Sequence, residues 1–239
     1  MKFIVGLDLS TKCTGYSCFA LNGELVAKEQ IKPKSTLSTM EKIHFISEEV
    51  YKMFIRFRTS PNIQIERVII EDIYLGHFRG HNQVKGFATL ARLSGAIAIL
   101  IAFAERKQIE DVITFRSAVQ ARPMVGLKGN CQKAEVQLWV LQNFTKEDTE
   151  VYEGLIEAVK AKKLAKEITQ KEYKTRMNKI SKLIEKETKH SEDICDAILL
   201  GYGEALKGIE DAKITTDNGI TTIDVDVNEK LHETDNKDS

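Results

Sequence analysis

The chain has 239 residues, 35 Lys and Arg against 35 Asp and Glu, and 42% hydrophobic residues. This length buries a sizeable core, and the composition is that of a globular protein rather than a fibrous or disordered one. A net charge of zero gives no bulk argument for a polyanionic partner, yet the charges are segregated: residues 158–190 carry eleven Lys or Arg against four Glu, and residues 211–239 carry eight acids against three Lys. Cys13, Cys18, Cys131 and Cys195 form no Cys-x-x-Cys pair and no zinc-ligand spacing, which argues against a disulfide framework or a structural zinc. Packed, reduced thiols in a cytoplasmic protein are expected. The N-terminus does not have the pattern of a signal peptide, and the longest uncharged apolar run, residues 93–104, is short of a bilayer span. No membrane partner is expected.

Residues 3–7 are apolar and partly β-branched, as in a strand buried on both faces, and the run ends on Asp8. Residues 15–21 and 24–31 have strand character on either side of Asn22-Gly23, a strong hairpin signal, so the chain opens as an antiparallel meander. Residues 37–57 have helical periodicity. Arg67-Val-Ile-Ile-Glu71 is a second buried strand ending on an acid, and a right-handed crossover places it parallel to the first. Sites in such sheets collect at the carboxyl ends of strands, so Asp8 and Glu71 are expected side by side.

A loop with Tyr74, His77, Phe78, Arg79 and His81 leads into a helix over residues 83–105. The small residues of that helix, Gly86, Ala88, Ala91, Gly95, Ala98 and Ala102, suit sheet packing or a self-association face. Residues 111–115 form a short strand, residues 116–120 a helical stretch, residues 123–130 a basic glycine-containing loop and residues 132–144 a helix. Residues 146–189 are long charged helix formers with a narrow apolar stripe, expected as a basic helical hairpin protruding from the domain. Ser191 has the place of an N-cap for a buried helix over residues 193–206. Residues 214–225 suggest a late hairpin around Asn218-Gly219, and the tail from about residue 228 is expected to be disordered.

In Ser191-Glu-Asp-Ile-Cys-Asp-Ala197, Asp193 and Asp196 share one face of the first helical turn. Capping needs one acid; Asp196 is surplus, and it enters an uncharged run where a lone carboxylate is costly. Four acids drawn together raise one another's pKa unless a cation compensates. Hard oxygen donors suit Mg²⁺, and two such ions would favour phosphodiester hydrolysis.

Gly6-Leu-Asp-Leu-Ser10, Val68-Ile-Ile-Glu71 with Tyr74, Leu90-Ala-Arg-Leu-Ser-Gly95, Val125-Gly-Leu-Lys128 with Lys133, and Asp193-x-x-Asp196-Ala197 resemble, in this order, the RuvC family of Holliday-junction resolvases. The resemblance covers residues 1–145 and 190–207. It implies an α/β, RNase H-like fold: a mixed five-stranded sheet, an antiparallel meander plus parallel strands, flanked by helices. It also implies a homodimer that nicks four-way DNA junctions, with Asp8, Glu71, Asp193 and Asp196 as ligands of two Mg²⁺, or Mn²⁺ in their place. Tyr74 stands where the family has a base-stacking aromatic, and Lys133 where it has a lysine near the scissile phosphate. Arg79, Arg116 and Lys128 are further candidates for phosphate contacts.

The expected organisation is a nuclease domain of residues 1–145 and 190–210, an inserted hairpin of residues 146–189 and an acidic extension of residues 211–239. The insertion and the tail depart from the compact bacterial resolvases and look like phage or viral additions, which would put the protein in the host cytoplasm. Three other readings compete: an actin-like or sugar-kinase ATPase, for which no second phosphate loop is found; a non-catalytic branched-DNA binding protein; and an RNase H-like nuclease acting on flaps or hybrids.

Overall fold

A computed structural model describes residues 1–60, 63–73, 81–188 and 191–217. One mixed five-stranded sheet of order β3-β2-β1-β4-β5 forms its centre. Strands β1 (Lys2–Asp8), β2 (Thr14–Ala20) and β3 (Leu25–Ile31) are the antiparallel meander. Gly23 takes the positive φ of 86° that the turn between β2 and β3 requires. Helix α1 (Thr39–Thr59) starts on a capping box in which Ser38 and Glu41 satisfy each other's backbone amides, then crosses to β4 (Gln64–Glu71). Strand β4 lies parallel to β1, and β5 (Ile113–Arg116) lies parallel to β4.

Two apolar layers cover the sheet. On one face α1 and α2 (His81–Glu105) bury Ile46, Val50, Phe54, Leu93, Ile97 and Ile101 against Val5, Leu7, Val68 and Ile70. On the other, α4 (Ala118–Met124), α5 (Lys133–Phe144) and α8 (Glu192–Asp217) cover Ile4, Phe19 and Ile69. The alternation of β1 between these layers explains why its sequence is apolar throughout. Phe19, Trp139, Phe144 and Tyr202 pack with ring centroids 5.0–5.8 Å apart and so fasten β2, α5 and α8 together.

By length and composition α2 is apolar enough to cross a membrane. Leu93, Ile97, Ala98, Ile101 and Ala104 nevertheless bury one side of it in the core, which makes it a packed helix of this domain.

Three sequence expectations need correction. Residues 111–115 are split: Ile109–Val112 is one helical turn, α3, and the strand begins at Ile113. Helix α8 does not stop near residue 206 but continues to Asp217, so residues 214–217 are not strand. No Gly or Pro occurs between residues 209 and 217 to end it, and each added residue gains a backbone bond. The remainder of the expected late hairpin lies outside the described residues.

The third correction concerns the insertion, which is the expected pair of helices, α6 (Glu150–Leu164) and α7 (Gln170–Thr188). It does not protrude. Tyr152, Ile156, Met177, Ile180 and Ile184 form a core with Ala134 and Leu141 of α5. A stripe of that width has to be buried, and α5 offers apolar side chains on the side facing away from the sheet.

Candidate active site

The parallel register of β1 and β4 sets Leu7 against Ile70, so Asp8 and Glu71 follow as neighbours at the same sheet end. Asp8 is 6% exposed. Its carboxyl shares a hydrogen bond with Glu71, and its pKa is raised by burial first and then by the charges of Glu71, Asp196 and Asp193. The other three acids of the expected set therefore all act on Asp8.

Glycine controls how closely α8 approaches. A Cβ on Gly15 would stand 2.1 Å from the carbonyl oxygen of Asp193, and one on Gly6 would stand 2.1 Å from that of Ala197. Gly201 meets Ser17 and Phe19 in the same way, at 2.8 and 2.9 Å. The first two turns of α8 therefore lie directly on β1 and β2. The buried Ser17 hydroxyl donates to the Ala197 carbonyl at 2.7 Å and fixes the contact. Ser191 caps α8 by accepting the Ile194 amide at 3.3 Å, and the first turn then carries Asp193 and Asp196 past Asp8.

Burial pushes Asp196 up to about 7, with Glu71 adding to the shift and Arg122 and Lys133 opposing it. Asp193 is raised by burial, against the hydrogen bond from Cys13 and the charge of Lys133. Burial works against the Lys133 ammonium, but Glu192, Asp196 and Asp193 outweigh it and hold its pKa above the ordinary value. Lys133 pairs directly with Glu192. The other Glu192 oxygen, Oε1, accepts from the Ser181 hydroxyl of α7 at 2.8 Å.

The donor set tests whether a hard cation fits. Among the described residues no group of three or more carboxylate, imidazole or thiol side chains is placed so as to hold a metal ion. Mg²⁺ seldom uses a full protein cage, since it keeps waters and takes substrate phosphate beside one or two carboxylates. The buried, hydrogen-bonded pair of Asp8 and Glu71 is where such an open site would be built, and the charges of Asp193 and Asp196 add to its negative potential.

Of the other candidates, Lys128 is exposed on the loop between α4 and α5, which Arg122 holds by donating to Gly129 and Cys131 carbonyls at 3.1 Å each. Arg116 is already engaged: its side chain is 14% exposed and ion-paired at 2.7 Å with Glu204 of α8, so it braces β5 against that helix. Tyr74 and Arg79 lie outside the described residues. Glu192 and Cys13 were missed from sequence. An acid at the first position of a helix reads as a dipole partner, and nothing local relates Cys13 to Asp193.

No protein-family model matches the chain, and no curated protein matches its sequence. Solved structures do match. Thermus thermophilus RuvC superposes with a TM-score of 0.54 at 16% identity, over 87% of this chain and 96% of that one. T. thermophilus RuvC in complex with Holliday junction substrate gives 0.55 at 15% identity, over 88% and 96%. The fold is that of RuvC. At this identity the likeness is one of fold, RNase H-like in both proteins. On this RuvC frame Asp8 and Glu71 stand at the ends of the paired central strands, and the last long helix brings the other two acids across them.

Proposed function

We propose that the protein is a Mg²⁺-dependent, structure-selective DNA endonuclease that cuts four-way junctions as a homodimer. The observation that carries this reading is the buried Asp8 carboxyl, hydrogen-bonded to Glu71 at one sheet end of a RuvC fold and under the charges of Asp193 and Asp196. A structure of that fold holds a Holliday junction, which supports the same substrate class here.

Asp8, Glu71, Asp193 and Asp196 would hold two Mg²⁺, or Mn²⁺; bound there, the ions would supply a nucleophilic water and neutralise charge on the leaving oxygen. The protein's own part is positioning. Strands β1 and β4 present two carboxylates on rigid elements, and the glycine-cleared contact sets the other two. Lys133 points its ammonium into the same field, where it would hold a phosphate oxygen of the scissile strand. A synthetic four-way junction and a Y-fork, each incubated with and without Mg²⁺, test the reading; paired incisions near the crossover are expected. An uncut junction in both Mg²⁺ and Mn²⁺ would leave a non-catalytic binding protein.

The dimer is assigned to α2. Val84, Ala88, Ala91, Gly95, Ile99 and Phe103 fall at helical spacing on the side away from the core, with Ile99 62% and Phe103 73% exposed. No atom comes within 4 Å of where a Gly95 Cβ would stand. Such a stripe is unusual on a free surface and suits close helix pairing. Replacing both Ile99 and Phe103 by Glu is expected to give a monomer in light scattering that nicks single strands without paired incision. A dimer of unchanged mass would move the interface elsewhere.

A further inference from the structure

Helix α7 buries one side and leaves a row of lysines on the other. Met177, Ile180, Ser181 and Ile184 face α5 and α6, while Lys171, Lys174, Lys179, Lys182 and Lys186 are all exposed. At 100° and 1.5 Å per residue the five lysines span an arc of roughly 140° and about 22 Å of axis, adjoining the buried stripe where Lys174 comes beside Ser181. Among the described residues none of the five pairs with a carboxylate. Lys160 of α6 differs: it lies 3.0 Å from Glu135 and from Glu157. Like charges three and four residues apart weaken a helix by a few tenths of a kcal/mol per pair. Glu185 lies within the same arc and Lys186 suits the helix C-terminus, but among the described residues none of the five lysines is held by an ion pair.

The position of the row is fixed relative to the acids in two ways. Gln170, Tyr173 and Lys174 line a cavity of about 460 Å³ whose other walls are Lys128, Asn130, Cys131 and Gln132 and the Glu135–Lys160 ion pair. Ser181, midway along α7, holds Glu192, which holds Lys133. Both links bring α7 beside the acid cluster.

We infer that the α7 lysine row seats one duplex arm of the branched substrate, with Lys128 and Lys174 taking the phosphate where that arm leaves the cleavage site. A straight row of about 22 Å matches roughly six base pairs at 3.4 Å each. Tyr173 is the one aromatic beside the row, at the cavity end, and the rest of its length offers only ammonium groups, which suits a duplex backbone better than stacked single-strand bases. Contacts of this kind are to phosphate and carry no sequence preference. The inference rests on the junction-cleaving reading above and assigns the insertion its part in it.

The test compares wild type with a variant carrying Lys171→Gln, Lys179→Gln, Lys182→Gln and Lys186→Gln on junctions whose arms are shortened stepwise. Four lost phosphate contacts lower the slope of log K against log salt by roughly 3 to 4. Wild type is expected to lose affinity once an arm no longer reaches α7, and the variant to show no such step. The same sites as Arg restore the slope, which repair of a merely weakened helix by charge alone would not explain. Equal slopes and equal arm-length dependence overturn the inference. Cleavage by wild type is scored on the same junctions: no cutting with an intact slope difference refutes the nuclease reading alone, and cutting with equal slopes refutes the arm seat alone.

Discussion

Asp8→Asn is expected to abolish cleavage and to raise the melting temperature of the metal-free protein. The first effect follows from removing a ligand carboxylate: an ion acting on a phosphoryl oxygen is worth several kcal/mol, and each 1.4 kcal/mol is tenfold, so a loss of about a thousand-fold or more is expected. Junction binding by the variant stays, because phosphate contacts are made elsewhere.

The second effect follows from burial. Asp8 and Asp196 have folded-state pKa values above their ordinary value of 3.8. A carboxyl shifted upward binds its proton more tightly in the folded state, so its contribution to stability is complete below the unfolded value and is lost as pH rises through the folded one. For Asp196 that loss ends near its raised value of about 7. The metal-free wild type is therefore expected to melt at progressively lower temperature from about pH 4 to pH 7. Asn at position 8 removes one charge from the cluster and flattens that fall, by several degrees at roughly 2–4 °C per kcal/mol. Mg²⁺ added at pH 8 raises the wild-type melting temperature and not that of the variant. A wild type indifferent to both pH and Mg²⁺ would show that the acids do not share one field.

Gly15→Ala carries the largest expected effect away from a charged group. The new methyl would stand 2.1 Å from the Asp193 carbonyl oxygen and 2.8 Å from the Ile194 amide, both backbone atoms at the start of α8. No rotamer change relieves a clash with backbone, so the helix end has to lift. Overpacking costs about 1–3 kcal/mol, and here the cost falls on the contact that carries Asp193 past Asp8. The variant is expected to be less stable by an amount at the top of that range and to lose most cleavage even in excess Mg²⁺. Gly126→Ala, at a φ of 80° on the loop before α5 with nothing within 4 Å, is a useful contrast. It strains only its own backbone and leaves the position of α8 unchanged. Cleavage by the Gly15 variant equal to that of the Gly126 variant would show that the close approach does not set the site.

The sheet was legible because its strands advertise themselves. An apolar run closed by Asp8, another closed by Glu71 and the Asn22-Gly23 turn between hairpin strands are local signals, and their order implies the parallel pairing. The pairing of Asp193 with Asp196 on one helical face was equally local. What joins elements was not legible. The stripe of Tyr152, Ile156, Met177 and Ile184 says that a face is buried, not that α5 buries it. Arg116 looked available because nothing nearby in sequence neutralises it; its partner Glu204 is 88 residues away. Glu192 had an adequate local role as a helix-start acid, and only packing shows it bridging Ser181 and Lys133. Residues 214–217 were misread because Ile214, Thr215 and Thr216 are β-branched, a preference that continuation of a docked helix overrides.

The order in which the acids occur along the chain has a consequence during synthesis. Asp8 and Glu71 leave the ribosome early, but the helix bearing their two counterparts follows about 120 residues later, a delay of roughly ten seconds at 5–20 residues per second. Throughout that interval the nascent polypeptide carries only two of the four acids, and a prematurely terminated product has no more. On the proposed nuclease reading, competence to cleave arrives only with α8, and incomplete copies of the protein are expected to leave DNA uncut.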